Sequence, residues 1–350
     1  MFSSKAFDSH EGVTFFSDAA SGLKGIIAIH STALGPAAGG CRAWAYESEE
    51  AALHDVLRLS RGMSYKNAVA GLPMGGGKAV IIREPGKPVT EAQFEAFGRV
   101  VDRLHGAYVT AEDVGVSVAD MACVARSTPY VSGISSHGDT AGGDPSPKTA
   151  YGVYCGILAA AKARLGRSDL EGLRVAVQGL GSVGRHLCEN LYKAGARLVV
   201  ADINPAACEN LREHFGAEVV SPEDILFQDV EVLSPCAMGG VFNPQSIPRI
   251  RASVIAGGAN NQLASPEDGL ALHARGILYA PDYVINAGGI ICVASEYLRS
   301  GSEQEVWKRV AGIEQTLAGI FAESKASGTP PHVIADALAL KRMAGGQARH

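Results

Sequence analysis

The stretch "RVAVQGLGSVGRHL" limits the possible folds of this chain more than any other. Arg174 to Gln178 read as a short buried strand, and Gly179, Gly181 and Gly184 follow in a G-x-G-x-x-G pattern that opens a helix. The next apolar run, "RLVVAD", ends on Asp202. Strand, glycine turn, helix, strand and acid in that order make the first unit of a doubly wound α/β sheet. The glycines, with Ser182 and Val183 between them, bring backbone to a pyrophosphate at a helix N-terminus. Asp202 then meets an adenosine ribose. The same letters also fit a plain glycine turn with a surface aspartate. A 2′-phosphate would be repelled by Asp202, and no arginine follows before Arg212, so NAD is expected over NADP.

Further short units, "AEVV", "VEVLSP", "SVIAGG" and "ILYAPDYVIN", continue the alternation and predict a mostly parallel sheet with helices on both faces. Ligands of such sheets lie beyond the carboxyl ends of the strands. Those ends read "SPCAMGG" with Ala237, "AGGANNQ" with Asn260 and Asn261, and "INAGG" with Asn286. The three asparagines suit hydrogen bonds to a carboxamide or a ribose, although each alone also fits an ordinary Asn/Gly turn. Residues 303–327 and 330–343 read as terminal helices.

The half before this has another texture. Residues 12–30 alternate as a hairpin turning near Ala20–Gly22, and a helix opens at Ser48 with acidic residues in its first turn. After "GLPMGGGKAV" a short strand, "AVII", is expected, then a helix over about 90–105, a strand ending at Asp113 and a helix over 117–126. The linker "GISSHGDTAGGDPSP" marks a boundary, with Ser146 as N-cap and Pro147 as first helical residue of the next helix. The expected domains are 1–135, an α/β substrate and catalytic domain, and 136–329, a Rossmann-type dinucleotide domain. The active site is expected in the cleft between them, and the helix in 330–350 is expected to pack back on the first.

Net charge is −5, which implies no basic face for nucleic acid. Seven scattered cysteines form no C-x-x-C pair, and no apolar run has transmembrane length. A reduced, cytoplasmic setting without metal or membrane is expected.

A nicotinamide cofactor moves a hydride, so the chain must handle the accompanying proton. No histidine–carboxylate pair stands beside the cofactor motifs, which argues against a hydroxy-acid dehydrogenase. Lys66 at a helix end, Lys78 after the glycines and Asp113 at a strand end are available instead. A lysine enclosed by glycines, apolar residues and a second cation works as a base, while the other holds a carboxylate. Asp113 can take or pass an ammonium proton. Together they suit a 2-amino acid, although Lys66 alone also fits a helix C-terminal cap. A P-loop fails on register, because Leu72 and Ala79 stand where it needs glycine and Ser or Thr.

"GMSYKNAVAGLPMGGGKAVI", "TAEDVG", "DPSPKTAYGVY", "VQGLGSVG", "SPCAMGG", "ANNQL" and "YAPDYVINAGG" together resemble the leucine/phenylalanine/valine branch of the amino acid dehydrogenases. The likeness runs in order from about residue 25 to 325. It implies oxidative deamination: an L-amino acid, water and NAD⁺ give a 2-oxo acid, ammonium and NADH. It implies that Lys66 holds the substrate carboxylate, Lys78 activates water and Asp113 handles the amino protons. It places Gly40 and Asn260 on the substrate, and Thr149 and Asn286 on the nicotinamide. For the side-chain pocket it points to Ala38, Ala111, Ile290 and Val293. Ala38 stands where leucine enzymes usually carry leucine, while Ala111, Ile290 and Val293 look like the leucine type. Cys41 replaces the family's usual threonine. Leucine, valine and isoleucine are the favoured substrates, phenylalanine or another aromatic the alternative, and a homo-oligomer is implied. A catalytically silent NAD-binding sensor is the rival from another class, and Lys66, Lys78 and Asp113 together speak against it.

Overall fold

The computed structural model describes residues 2, 4–134 and 144–347. The chain divides into two units, the first Met1–Asp144, Ile290–Val306 and Leu338–His350, the second Pro145–Gly289 and Trp307–Ala337. The boundary expected at 135/136 lies outside the described residues, as do the last three residues of the segment 330–350. The pocket residues Ile290 and Val293, expected within the dinucleotide domain, group with the first unit.

The first unit holds β1 (Gly12–Asp18), β2 (Leu23–Ser31), β3 (Ala37–Ala38), β4 (Cys41–Trp44), α1 (Glu49–Val69), β5 (Gly75–Ile82), α2 (Glu91–Asp102), β6 (Tyr108–Val109) and α3 (Val118–Ala125). Its mixed sheet runs β1-β2-β5-β3-β6, and β4 also pairs with β5. In the middle of that sheet, β5 is covered on both faces. Successive side chains of a strand alternate between faces. Ala79 and Ile81 join the cluster of Phe94, Phe97 and Met121 from α2 and α3, while Val80 packs with Val56 and Leu57 of α1. Each of those phenylalanines contributes about 2 kcal/mol by leaving water. Lys78 has the parity of Val80 and so belongs to the α1 face.

At its N-terminus, α1 is capped by the Ser48 hydroxyl, which accepts from the Ala51 N–H at 3.1 Å, and Glu49 and Glu50 complement the helix dipole. Two expectations shift here and one holds. The strand includes the glycines, starting at Gly75 rather than after Gly77, because its backbone is already paired with β3 there. The strand expected to end at Asp113 stops at Val109, with one further bridge from Thr110 to Val131, so Asp113 lies in a loop. The hairpin turn falls between Asp18 and Leu23, as the alternation implied.

The second unit holds α4 (Ser146–Leu165), β7 (Arg174–Gln178), α5 (Ser182–Lys193), β8 (Arg197–Ala201), α6 (Pro205–Phe215), β9 (Glu218–Val219), β10 (Val232–Pro235), β11 (Val254–Ile255), α7 (Pro266–Ala274), β12 (Leu278–Tyr279) and α8 (Asp282–Ile285). Its six strands are all parallel, in the order β12-β11-β10-β7-β8-β9. That is the doubly wound arrangement, with the order reversing between β7 and β10. The helix expected to begin at Pro147 with Ser146 as cap starts one residue earlier. Pro145 is its N-cap, without a side-chain cap hydrogen bond, and Pro147 sits in the first turn. Three helices complete the chain: α9 (Gly288–Tyr297), α10 (Glu303–Ser327) and α11 (Pro331–Gln347). Of these, α9 is absent from the sequence reading, which took "AGGIICV" only as pocket wall. Arg342 of α11 donates from Nη1 to the Ala68 and Val69 carbonyls at the end of α1.

Candidate active site

In the first unit, the backbone between β3 and β4 is pinned from both sides. The Gly39 and Cys41 N–H groups donate to Val109 O and Ala111 O at 3.1 and 2.8 Å, and Ala79 N donates to Gly40 O at 3.3 Å. Glycine is obligatory here for space. A Cβ on Gly39 would lie 1.9 Å from Gly77 O, and one on Gly40 2.3 Å from Glu112 O. The run Gly75–Gly77 is packed as tightly. A Cβ on Gly76 would sit 2.0 Å from the Ser64 backbone nitrogen of α1, and one on Gly77 2.8 Å from the Tyr108 ring. This lets α1 press against β5, where Asn67 donates from Nδ2 to Gly75 O at 2.6 Å. Lys66 lies beside Asn67 in the last turn of α1.

Lys78, only 5% exposed, ends on the Asp113 carboxylate, with Nζ 3.1 Å from Oδ2. Arg42 of β4 donates from Nε to the same Oδ2 at 3.0 Å. Its Nη1 donates to Asp55 Oδ2 at 3.0 Å, which also accepts from the Tyr46 hydroxyl at 2.7 Å. Burial alone would raise the Asp113 carboxyl, but Lys78 and Arg42 outweigh it and hold the group below the ordinary carboxylate range. Burial pushes the neighbouring Cys41 thiol far up, so it stays neutral. Arg42, Asp55 and Tyr46 escaped the sequence reading. Arg42 lies two residues after Gly40, in a stretch that was read for Ala38, Gly40 and Cys41, and nothing in linear spacing links it to Asp113.

Next to this cluster a cavity of about 240 Å³, its open mouth included, is lined by Ala38, Met74, Ala111, Ile290, Val293 and Tyr297 among others. The four expected pocket residues Ala38, Ala111, Ile290 and Val293 therefore come together. Ile290 and Val293 stand one helical turn apart on α9. The Ser132 hydroxyl donates to Val293 O at 2.8 Å, and the Gly133 and Ile134 N–H groups donate to the Glu296 carboxylate at 3.2 and 3.0 Å. These bonds fix α9 within the first unit.

In the second unit, Gly179 has φ +90°, and a Cβ there would lie 2.6 Å from Ala237 Cβ. A Cβ on Gly184 would sit 1.9 Å from Gly179 O, whereas one on Gly181 would meet nothing within 4 Å. Gly181 is the N-cap of α5 and provides no side-chain cap. Ser182 and Val183 follow as the first residues of that helix. An uncapped helix start facing open space, behind a turn too tight for side chains, fits the pyrophosphate of a dinucleotide. Asp202 accepts from Leu180 N at 2.6 Å and from Asn204 N at 2.8 Å, which sets its carboxylate against the glycine turn.

Asn286 was expected at a strand end. It is instead the C-cap of α8, because "DYVI" closes one helical turn after β12. Its Nδ2 donates to Asn260 Oδ1 at 2.8 Å and to Gly258 O at 3.2 Å, while its buried Oδ1 has no partner. A buried amide oxygen left open is costly unless a ligand donor reaches it. Asn261 adopts φ +51°, and its carbonyl accepts from Gly240 N at 2.7 Å, so it shapes the loop through its backbone. Gln262, fully buried, ties that loop with bonds from Nε2 to Gly257 O and Ala259 O, at 2.8 and 2.9 Å. Thr149, in the first turn of α4, donates to Pro145 O at 3.0 Å. A Cβ on Gly289 would lie 2.8 Å from its hydroxyl oxygen. Among the described residues no group of His, Cys, Asp or Glu is arranged to hold a metal, and no helix is long and apolar enough to cross a membrane.

Residues 10–130 match the family model "Glu/Leu/Phe/Val dehydrogenase, dimerisation domain", and residues 202–348 match "Glutamate/Leucine/Phenylalanine/Valine dehydrogenase". A TrkA-N domain model matches residues 175–226. The chain is 52% identical over 334 residues to a leucine dehydrogenase of Geobacillus stearothermophilus, covering 95% of this chain and 90% of the relative. It is 47% identical over 343 residues to a valine dehydrogenase of Streptomyces albus, covering 97% and 94%. The crystal structure of L-tryptophan dehydrogenase from Nostoc punctiforme superposes with a TM-score of 0.85 at 43% identity, covering 97% of both chains.

Proposed function

The chain belongs to the Glu/Leu/Phe/Val dehydrogenase family, and from that premise we propose that it oxidatively deaminates branched aliphatic L-amino acids, leucine, valine or isoleucine, with NAD. It is an amino acid dehydrogenase, an oxidoreductase that uses a nicotinamide cofactor. The proposal concerns the side chain it prefers, the cofactor it selects and the residues that do the work.

One observation carries the reading: a buried lysine–aspartate pair and an almost wholly apolar cavity are built on the same sheet of the first unit. In this reading the Lys66 ammonium holds the substrate carboxylate. Asp113 takes up and returns protons of the amino group. Lys78 removes a proton from the water that attacks the imine carbon, and that carbon then loses ammonia to become the 2-oxo acid. Gly40, Asn260 and Asn261 contact the substrate. The cofactor, when bound, supplies the acceptor for the hydride leaving the amino acid's Cα. Gly179, Gly181, Ser182, Val183, Gly184 and Ala237 hold its pyrophosphate, Asp202 its adenosine ribose, and Thr149 and Asn286 its nicotinamide end. The open Oδ1 of Asn286 suits a carboxamide N–H.

Two of the hydroxyls at the cavity, those of Ser132 and Thr110, have partners in the protein. Ser132 donates to Val293 O, and the buried Thr110 lies against the Tyr108 hydroxyl. The walls therefore reward methyl groups rather than a polar side chain. Ala38 favours a second reading, an aromatic substrate, because it leaves space that leucine would fill. Assembly as a homo-oligomer is proposed on the dimerisation-domain match. Seven free cysteines fit a reducing cytoplasm.

The test is NADH formation by the purified protein, offered NAD⁺ or NADP⁺ with Leu, Val, Ile, Phe, Trp or Glu. Turnover of the branched substrates with NAD⁺ is expected, and Ala38→Leu should sharpen aliphatic over aromatic selectivity by roughly 10–200-fold. Preference for Phe or Trp replaces the first reading by the second. Cofactor binding without turnover of any amino acid refutes both.

A further inference from the structure

We propose that Arg42 is a positioning residue for the deamination chemistry, fixing Asp113 through one oxygen and keeping Lys78 from closing an exclusive pair with it. The inference rests on the roles proposed above for Lys78 and Asp113.

Both contacts of the Asp113 carboxylate fall on Oδ2, from Lys78 Nζ at 3.1 Å and Arg42 Nε at 3.0 Å. Oδ1 accepts no hydrogen bond among the described residues, which reserves it for the amino group of the substrate. Arg42 is itself held. Its Nη1 donates to Asp55 of α1, and Asp55 accepts the Tyr46 hydroxyl on the same oxygen. The backbone sets the spacing, since β4 runs parallel to β5 with Cys41 opposite Ala79 and Arg42 opposite Val80. The result is a row of alternating charge: Asp55, Arg42, Asp113, Lys78.

A carboxylate shared by two cations binds each less firmly than one it serves alone. Only arginine's planar fork lets one cation reach both Asp113 and Asp55, since lysine ends in a single nitrogen. Arg42 touches no reacting atom in this scheme. It acts through Asp113. The titratable groups that face this row are Asp55 and Tyr46 around Arg42, and Lys78, Cys41, Glu112 and Tyr108 around Asp113.

The experiment compares the wild-type enzyme with Arg42→Met and Arg42→Lys. It follows kcat and KM for the best amino acid across pH, with melting temperature and NADH binding as controls. Arg42→Met should lower kcat about 100-fold with KM changed less than about threefold. The acid limb of its kcat/KM profile should move to higher pH. Arg42→Lys should return that limb toward the wild-type position while kcat stays low, because charge is restored and the fork is not. An Arg42→Met enzyme with wild-type kcat and limb overturns the proposal, and so does a loss of activity that only tracks the loss of folded protein. If Arg42→Met does not fold, Arg42→Lys decides: wild-type kcat overturns the proposal, and low kcat with an unmoved limb supports it. A wild-type protein that binds NADH but turns over no amino acid fails at the earlier step and overturns the functional reading on which this one stands.

Discussion

Two glycine runs serve the two units, and they use the same residue for different physical reasons. Gly75–Gly77 form an extended central strand in which none of the three needs a positive φ. They are glycines because other parts of the protein occupy the space of a side chain: Ser31 O, the Ser64 backbone and the Tyr108 ring. Gly179–Gly184 form a turn in which one residue needs φ +90°, one closes on its neighbour's carbonyl, and Gly181 faces open space. The first run is a contact between protein and protein. The second includes Gly181, whose missing side chain leaves open space at a helix start.

Substitutions can break this contrast. The largest effect is expected at Gly76→Ala, where the new Cβ would lie 2.0 Å from backbone in α1. The helix that carries Lys66 must shift, at a cost of about 3 kcal/mol, so both melting temperature and turnover should fall. Unchanged stability would show that β5 and α1 are not locked as described. Gly184→Ala comes next, with its Cβ 1.9 Å from Gly179 O. Splaying the turn should weaken NADH binding by roughly 10–100-fold, read by fluorescence titration. Gly181→Ala sharpens the comparison: stability should stay within about 0.5 kcal/mol, yet NADH affinity should drop. Equal loss of stability at 181 and 184 would erase the distinction between a packed glycine and a bare one.

The last effect is one of pH. Ser64, against which Gly76 packs, is hydrogen-bonded to His30 Nδ1 at 2.8 Å. Burial first, then the neighbouring His10, lowers the His30 pKa from 6.5 to about 4, while Asp8 opposes the shift. His30 is therefore neutral in the fold. The unfolded chain takes up the proton first, so stability falls as pH drops from about 6.5 toward 4, by roughly 3 kcal/mol in all. His30→Asn should flatten that part of the stability curve, measured by denaturant melts across pH. A curve unchanged by His30→Asn would remove His30 from the account.

The contrast also explains how much was legible in the sequence. The turn at 179–184 is read from local spacing, because strand, glycines, helix and acid follow one another within one unit of the sheet. The run at 75–77 is ambiguous from the letters, because the atoms that forbid a side chain come from residues 31, 64 and 108. Lys78 and Asp113 were singled out by the chemistry they suit, and the fold sets them 3.1 Å apart. Arg42 was missed because its partners, Asp55 on α1 and Asp113 in the loop bonded to β4, come to it only in the folded chain. Asn286 was assigned to a strand end because one turn of helix, "DYVI", carries too few residues for periodicity to show. The wall residues Ile290 and Val293 were recognised, but their helix was not, since glycines at its start mask the pattern.

The path of the chain through the two units has a consequence for how such an enzyme can be recombined. Gly289 ends one stretch of the second unit, and Ile290, a wall of the cavity, begins the next stretch of the first. A hybrid gene joined at a single crossover after the amino-terminal half would bring Ala38 and Ala111 from one parent and Ile290 and Val293 from the other. With the pocket as proposed, substrate preference is inherited with neither half alone. Grafting it whole takes an exchange of separated segments, with 290–306 moving together with the amino-terminal residues.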